Sequence, residues 1–208
     1  MLRTVRVLCL FALLLAANFV FAQAEFSADI VDLHKANAPA TAKIYFTKDK
    51  MRVEPTGPST HGGGAVIVNF ATQTSIILLT PQHMYMEMPA QGQAQRLGYA
   101  FFQADDVESA CTYWQKSAHN QGGTCHKVGS ESVNGRGTVK FETTSASGDV
   151  GHFWLDSKVR FPVKWDTKNS SGELRNIEEG AQPASLFEVP AGFTKMQIPG
   201  GMMQMPQH

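Results

Sequence analysis

Three methionines, Met84, Met86 and Met88, stand two residues apart. Side chains of a strand alternate between its faces, so this spacing puts all three thioethers on one side. Flexible, polarisable sulfur suits the wall of an apolar cavity that adapts to its ligand. Plain core filling uses the same property. Soft-metal binding does too, because thioethers hold Cu(I), and Met202, Met203, Met205 and His208 at the C-terminus resemble a copper motif. That second group is short and terminal, which reads as a disordered Met-rich tail over 199–208.

Cys111 and Cys125 are the next candidates. They lack the close CxxC spacing of a redox dithiol, and an even pair in an exported chain reads as a disulfide. The histidines, His34, His61, His83, His119, His126, His152 and His208, form neither HxH nor HExxH, so no metal site is assigned. Distant ones can still meet in space, as His126 and His152 would from neighbouring hairpins. No catalytic arrangement appears. Ser130-Glu131-Ser132 lacks the glycines of a nucleophile elbow, and Gly62-Gly63-Gly64 lacks the Lys and Ser/Thr of a phosphate loop. Asp105-Asp106 reads as a helix cap and Glu178-Glu179 as a solvated strand end. The chain is read as non-enzymatic, with no cofactor.

The elements that position these residues are mostly strands. From Cys125 to Glu179 short alternating runs are broken by Val133-Asn134-Gly135-Arg136, Ser145–Asp149, Asp156-Ser157-Lys158 and Asn169-Ser170-Ser171-Gly172. Asn-Gly is a strong hairpin signal, because a type I′ turn needs positive φ at both central residues. Hairpins joined in sequence make an antiparallel sheet. The N-terminal half predicts strands over Phe26–Leu33, Thr41–Thr47, Met51–Glu54, Ala65–Phe70, Ser75–Leu79 and Met84–Met88, and Gln91–Gln95 reads as polar linker. One helix is predicted from a cap at Asp105 or Asp106 to about Ser117. Val107, Ala110 or Cys111, and Trp114 form its apolar stripe. Gln182–Val189 adds a last helical turn.

The fold class is therefore α+β, a large antiparallel sheet of about ten strands that curls into a half-barrel, with the helix over its concave side. Such a shape encloses an apolar cavity suited to a hydrophobic ligand, a lipid or acyl chain. Met84, Met86 and Met88 would line its wall, with Trp114 and Trp154 as neighbours. Trp165, Phe141, Phe153 and Phe161 belong to the same aromatic set.

Arg3 and Arg6, the apolar Val7–Ala17 and the small residues of Ala22-Gln23-Ala24 read as a signal peptide cleaved after Ala24. The apolar run is too short for a transmembrane anchor, and Cys9 stands at its start, where no lipoprotein box belongs. Without the leader, 18 basic and 18 acidic residues become 16 and 18, with no field to attract nucleic acid. A single domain over 25–198 follows, periplasmic or secreted.

The order of parts resembles the periplasmic lipoprotein-carrier and lipoprotein-sorting superfamily, and within it exported bacterial domains of unassigned function. The resemblance rests on the signal peptide, the early strands Phe26–Leu33 and Thr41–Val53, the Met84–Met88 strand, the helix and long meander, and the ending Leu186-Phe187-Glu188-Val189-Pro190-Ala191-Gly192-Phe193. It implies a half-barrel closed by helices over a cavity that receives acyl chains, and no particular cargo. The alternatives are a structural or interaction module of the cell envelope, its partner unknown, and a Cu(I)-binding protein using the methionines.

Overall fold

A computed structural model describes residues 25–34, 39–57, 64–90, 106–116 and 121–196. The expected signal peptide, Gly62 and Gly63, the expected linker at 91–95, Asp105, Ser117 and the Met-rich tail lie outside the described residues. Twelve strands form one sheet: β1 (Phe26–Asp32), β2 (Ala42–Phe46), β3 (Lys50–Pro55), β4 (Val66–Asn69), β5 (Thr74–Leu79), β6 (Met84–Pro89), β7 (Thr124–Val133), β8 (Arg136–Thr144), β9 (Val150–Asp156), β10 (Pro162–Thr167), β11 (Ser170–Glu179) and β12 (Thr194–Lys195). Their order is β12-β6-β5-β4-β3-β2-β1-β11-β10-β9-β8-β7. Every pairing is antiparallel except β12 beside β6. Two meanders, β1–β6 and β7–β11, thus meet where β1 pairs with β11.

The sheet is curled. Phe46 of β2 and Phe161, just ahead of β10, have ring centroids 5.1 Å apart, although β1 and β11 lie between those strands. Three strand steps on a flat sheet span about 14 Å. The face that brings these rings together is therefore the concave one, and Phe26 sits between them, stacked on Phe46 at 5.4 Å and edge-on to Phe161 at 5.1 Å. Ile44, Met51, Val68, Trp154, Val163 and Leu174 belong to the same main core. Registers carry the same face onward through Asp32, Gly172, Trp165, Phe153 and Phe141, opposite one another on five successive strands. There is no room for a larger residue at Gly172: a Cβ would run into the Trp165 ring and lie 2.9 Å from the Val31 carbonyl. The expected turn at Asn169–Gly172 is corrected accordingly. Only Lys168 and Asn169 turn, and Ser170 already bonds as β11.

The helix α1 is shorter than its sequence pattern, running Ala110–Lys116. Asp106 does not start it. Its Oδ1 accepts the Ser109 amide at 2.7 Å, and the chain turns before helical geometry begins. Val107, Ala110 and Trp114 are all buried against Val139, Phe141 and Leu155, so the predicted stripe faces the sheet. Because Phe141 belongs to the concave row, α1 lies on the concave side. The disulfide Cys111–Cys125, with Cα atoms 5.3 Å apart, fastens it to the start of β7.

The C-terminal segment crosses the other face. A 3-10 turn at Ala184–Phe187 puts Phe187 against Ala65, Ile67 and Leu78, and Val189 and Phe193 follow it down. Arg52 holds this segment by donating from Nη1 to the Leu186 carbonyl at 2.7 Å. The Phe-x-Val-Pro-x-Gly-Phe ending is thus packing, and it delivers the chain to β6 as β12.

Candidate functional site

The concave face is built from cross-strand rows. One runs Ala28, Ile44, Val53, Val66, Ile77, Met86 over six strands, every member apolar. Ala28 and Ile44 are buried, whereas Val53, Val66, Ile77 and Met86 are half-buried. A second row runs Phe26, Phe46, Met51, Val68, Ser75, Met88. Met84 stands beyond them, opposite Leu79. Period-two alternation makes these faces, and β-branched residues hold the strands extended. The result is a partly open apolar trough toward β6, continuous with a filled core toward β1.

All three methionines of β6 are half-buried, and none belongs to the buried clusters. The expected common face is what the register shows. Trp114 is buried on α1 against β8 and β9, and eight strands lie between β6 and β8 in the sheet order. Trp154 is buried at 6% exposure in the main core cluster with Phe26, Phe46 and Phe161. Its neighbours Phe153 and Leu155 pack with α1 in a second cluster, whereas Trp154 stands between β8 and β10. There it lies under two cations, Lys140 Nζ at 4.8 Å and Lys164 Nζ at 4.7 Å from its centroid, from the strands on either side. Its Nε1 donates to Glu131 Oε2 at 2.7 Å. That hydrogen bond is the main reason the Glu131 carboxyl lies below the usual carboxylate range. Trp154 is thus a packed core tryptophan, in a different cluster from Trp114.

His126 and His152 do meet, as the sequence allowed. Glu142 stands between them across three strands, its Oε1 3.5 Å from His126 Nε2 and its Oε2 3.1 Å from His152 Nε2. Among the described residues, no three histidine, cysteine or carboxylate side chains have metal-ligand geometry. Met196 is a methionine that the sequence did not single out. Its amide donates to the Tyr85 carbonyl at 2.8 Å, which lays it alongside β6. A two-residue strand is too short to leave a periodic signal, so β12 was not legible. The trough row, by contrast, is visible in retrospect as the apolar phase of β3, β4 and β5.

Among the described residues, no helix is long and apolar enough to cross a membrane. No protein-family model matches the sequence, and no curated protein does. Solved structures match in shape. An uncharacterized conserved protein from Thermus thermophilus aligns over 85% of this chain and 91% of its own, at 10% identity and a TM-score of 0.52. A LolA superfamily protein from Nitrosomonas europaea aligns over 80% and 90% at 10% identity, with a TM-score of 0.35. The Pseudomonas aeruginosa MucA/MucB complex aligns over 83% of this chain at 16% identity and a TM-score of 0.47, and the chain spans 58% of that partner's length. At such identities the likeness is one of fold, and the Thermus protein alone of these three reaches a score that carries it. The half-barrel that the lipoprotein-carrier resemblance implied is the fold this chain has.

Proposed function

We propose that this chain is a non-enzymatic binding protein of the bacterial cell envelope, exported and cleaved after Ala24, that holds a lipid or acyl chain in the trough. The observation that carries the reading is the half-buried row Val53, Val66, Ile77, Met86 on the concave face. Water against four aligned apolar side chains is costly, at roughly 25 cal/mol per Å² of apolar surface. A hydrocarbon chain laid across β3–β6 removes that cost without needing directional bonds. Met84, Met86 and Met88 are the adaptable wall, and Trp114 braces the helix that covers the far end. Trp154, in the main core cluster that Val53 and Val66 pack against, is a candidate neighbour of the ligand.

Protein purified from its own periplasm and examined by native mass spectrometry and organic extraction is expected to carry lipid. The variant Ile77→Glu is expected to bind a fluorescent fatty acid about tenfold or more weakly, corresponding to about 1.4 kcal/mol. Repeatedly empty preparations that also ignore the probe would sink the proposal.

A second reading, an envelope interaction module, has its own observation. The outer strand β7 runs ten residues at the sheet's margin and exposes Val128 at 50%. Such an edge is a template for an added strand. Probe-negative protein that captures an extended envelope peptide through β7 would favour this module instead.

A further inference from the structure

We propose that the edge of the sheet carries a Cu(I)-class soft-metal site made of Met86 and Met196, with Met84 and Met88 as flanking thioethers. The register brings them together. β12 runs parallel to β6, with Thr194 opposite Met84 and Lys195 opposite Tyr85, so the next residue, Met196, falls opposite Met86. An independent contact fixes the faces. Lys195 pairs with Glu87, which puts Lys195, Tyr85 and Glu87 on one side and Thr194, Met196 and the three β6 methionines on the other.

Four thioethers thus share a patch at the sheet's margin. Neighbouring strands stand about 4.8 Å apart, and same-face residues of one strand about 6.7 Å apart. Methionine has three rotatable bonds beyond its backbone, so two or three of these sulfurs can converge on one ion without moving the strands. All four side chains are half-buried, and none belongs to the buried clusters, so packing does not require sulfur here.

The chemistry selects the ion. Thioethers are neutral, soft donors and prefer Cu(I) and its stand-in Ag(I) to Zn(II) or Mg(II). The flanking residues on this face, Ile77 and Leu79 opposite Met86 and Met84, supply neither carboxylate nor imidazole for a harder ion. Glu87 and Lys195 neutralise each other on the opposite side. An apolar margin with neutral ligands penalises a divalent ion more than a monovalent one. The site shares Met84, Met86 and Met88 with the trough wall, but metal binding and lipid binding are measured, and fail, separately. Replacing methionine by leucine keeps volume and hydrophobicity but removes sulfur.

The test uses the full chain. Its methionine methyl groups are followed by NMR during titration with Ag(I), and its Cu(I) affinity is measured anaerobically against a chromophoric chelator. Ag(I) is expected to shift the Met86 and Met196 methyl signals first and to saturate at one ion per chain. The double variant Met86→Leu/Met196→Leu is expected to lose at least the roughly 10- to 100-fold that removing even an outer-shell partner costs a metal site. Its near-ultraviolet circular dichroism and urea midpoint should match those of the wild type, which shows that it is folded. A tail variant, Met202→Leu/Met203→Leu/Met205→Leu, should keep the wild-type Cu(I) affinity. No binding, shifts confined to the tail methionines, displacement by Zn(II), or an unaltered affinity in the double variant would each overturn the site.

Discussion

Glu179 joins three parts of the chain by charge. It ends β11, and its carboxylate meets Arg136 Nη2 at 2.8 Å and Lys158 Nζ at 2.6 Å. Arg136 also reaches the buried Asp156, whose Oδ1 accepts the amides of Lys158 and Val159 at 2.7 and 2.9 Å. The Lys158 hydrogen bond first, and then that of Arg136, hold the Glu179 carboxyl below the ordinary glutamate range. A depressed carboxyl adds stability that is fully present above its unfolded value and is lost as pH falls through its folded value. Replacing Glu179→Gln should cost about 1 kcal/mol at neutral pH, the upper end for partly exposed pairs. Urea midpoints of wild type and variant should converge once the pH drops below the ordinary glutamate range; a gap that stays constant into acid would show that charge is not its source. Sequence reading caught only part of this cluster. The turn beside it was legible, since Asn134 and Gly135 have the positive φ, 50° and 79°, that Asn-Gly encodes. The ion pairs were not, because Arg136 lies 20 residues from Asp156 and 43 from Glu179. Nothing local marks partners at such separations.

At the scale of elements, α1 depends on what it is fastened to. A seven-residue helix has too few hydrogen bonds to repay its nucleation in water. It persists because Trp114 and Val107 are buried on β8 and β9 and because Cys111 is bonded to Cys125. Closing a loop of that length removes roughly 3 kcal/mol of freedom from the unfolded chain. The variant Cys111→Ser/Cys125→Ser should therefore lose about 3 kcal/mol by denaturant unfolding. Hydrogen exchange should show α1 amides unprotected while β1–β6 amides stay protected; equal loss throughout would mean that the helix and sheet unfold as one unit. The stripe of α1 was readable because 3.6-residue spacing survives even in a short helix. Its start was not, because an aspartate that caps a helix and one that closes a turn look alike in sequence. The Gly172 turn was misjudged for a related reason. Serine and glycine are turn formers, but here the glycine is needed for the Trp165 ring that lies across it.

At the scale of the molecule, alternation in β1–β11 made the antiparallel sheet legible, whereas its curl and the role of the last strand were not. Curl comes from ring contacts such as Phe46 with Phe161, made between segments far apart in sequence. The placement of β1 between β2 and β11 has a consequence for how the protein is made. Each meander can zip up from its own hairpins as it is synthesised. The first strand, however, pairs Phe26 with Glu179, so one of its edges has no partner until nearly the whole chain has been delivered. Closing so long a loop is the slow, non-local step. Pulse-labelled hydrogen exchange during refolding should show amides between β1 and β11 protected after those between β3, β4 and β5; simultaneous protection would refute the order. Until that seam shuts, a truncated or stalled chain presents a bare strand margin in a crowded compartment. The cell that makes this protein must therefore shield, or quickly degrade, chains that end before β11, a burden that follows from strand order alone.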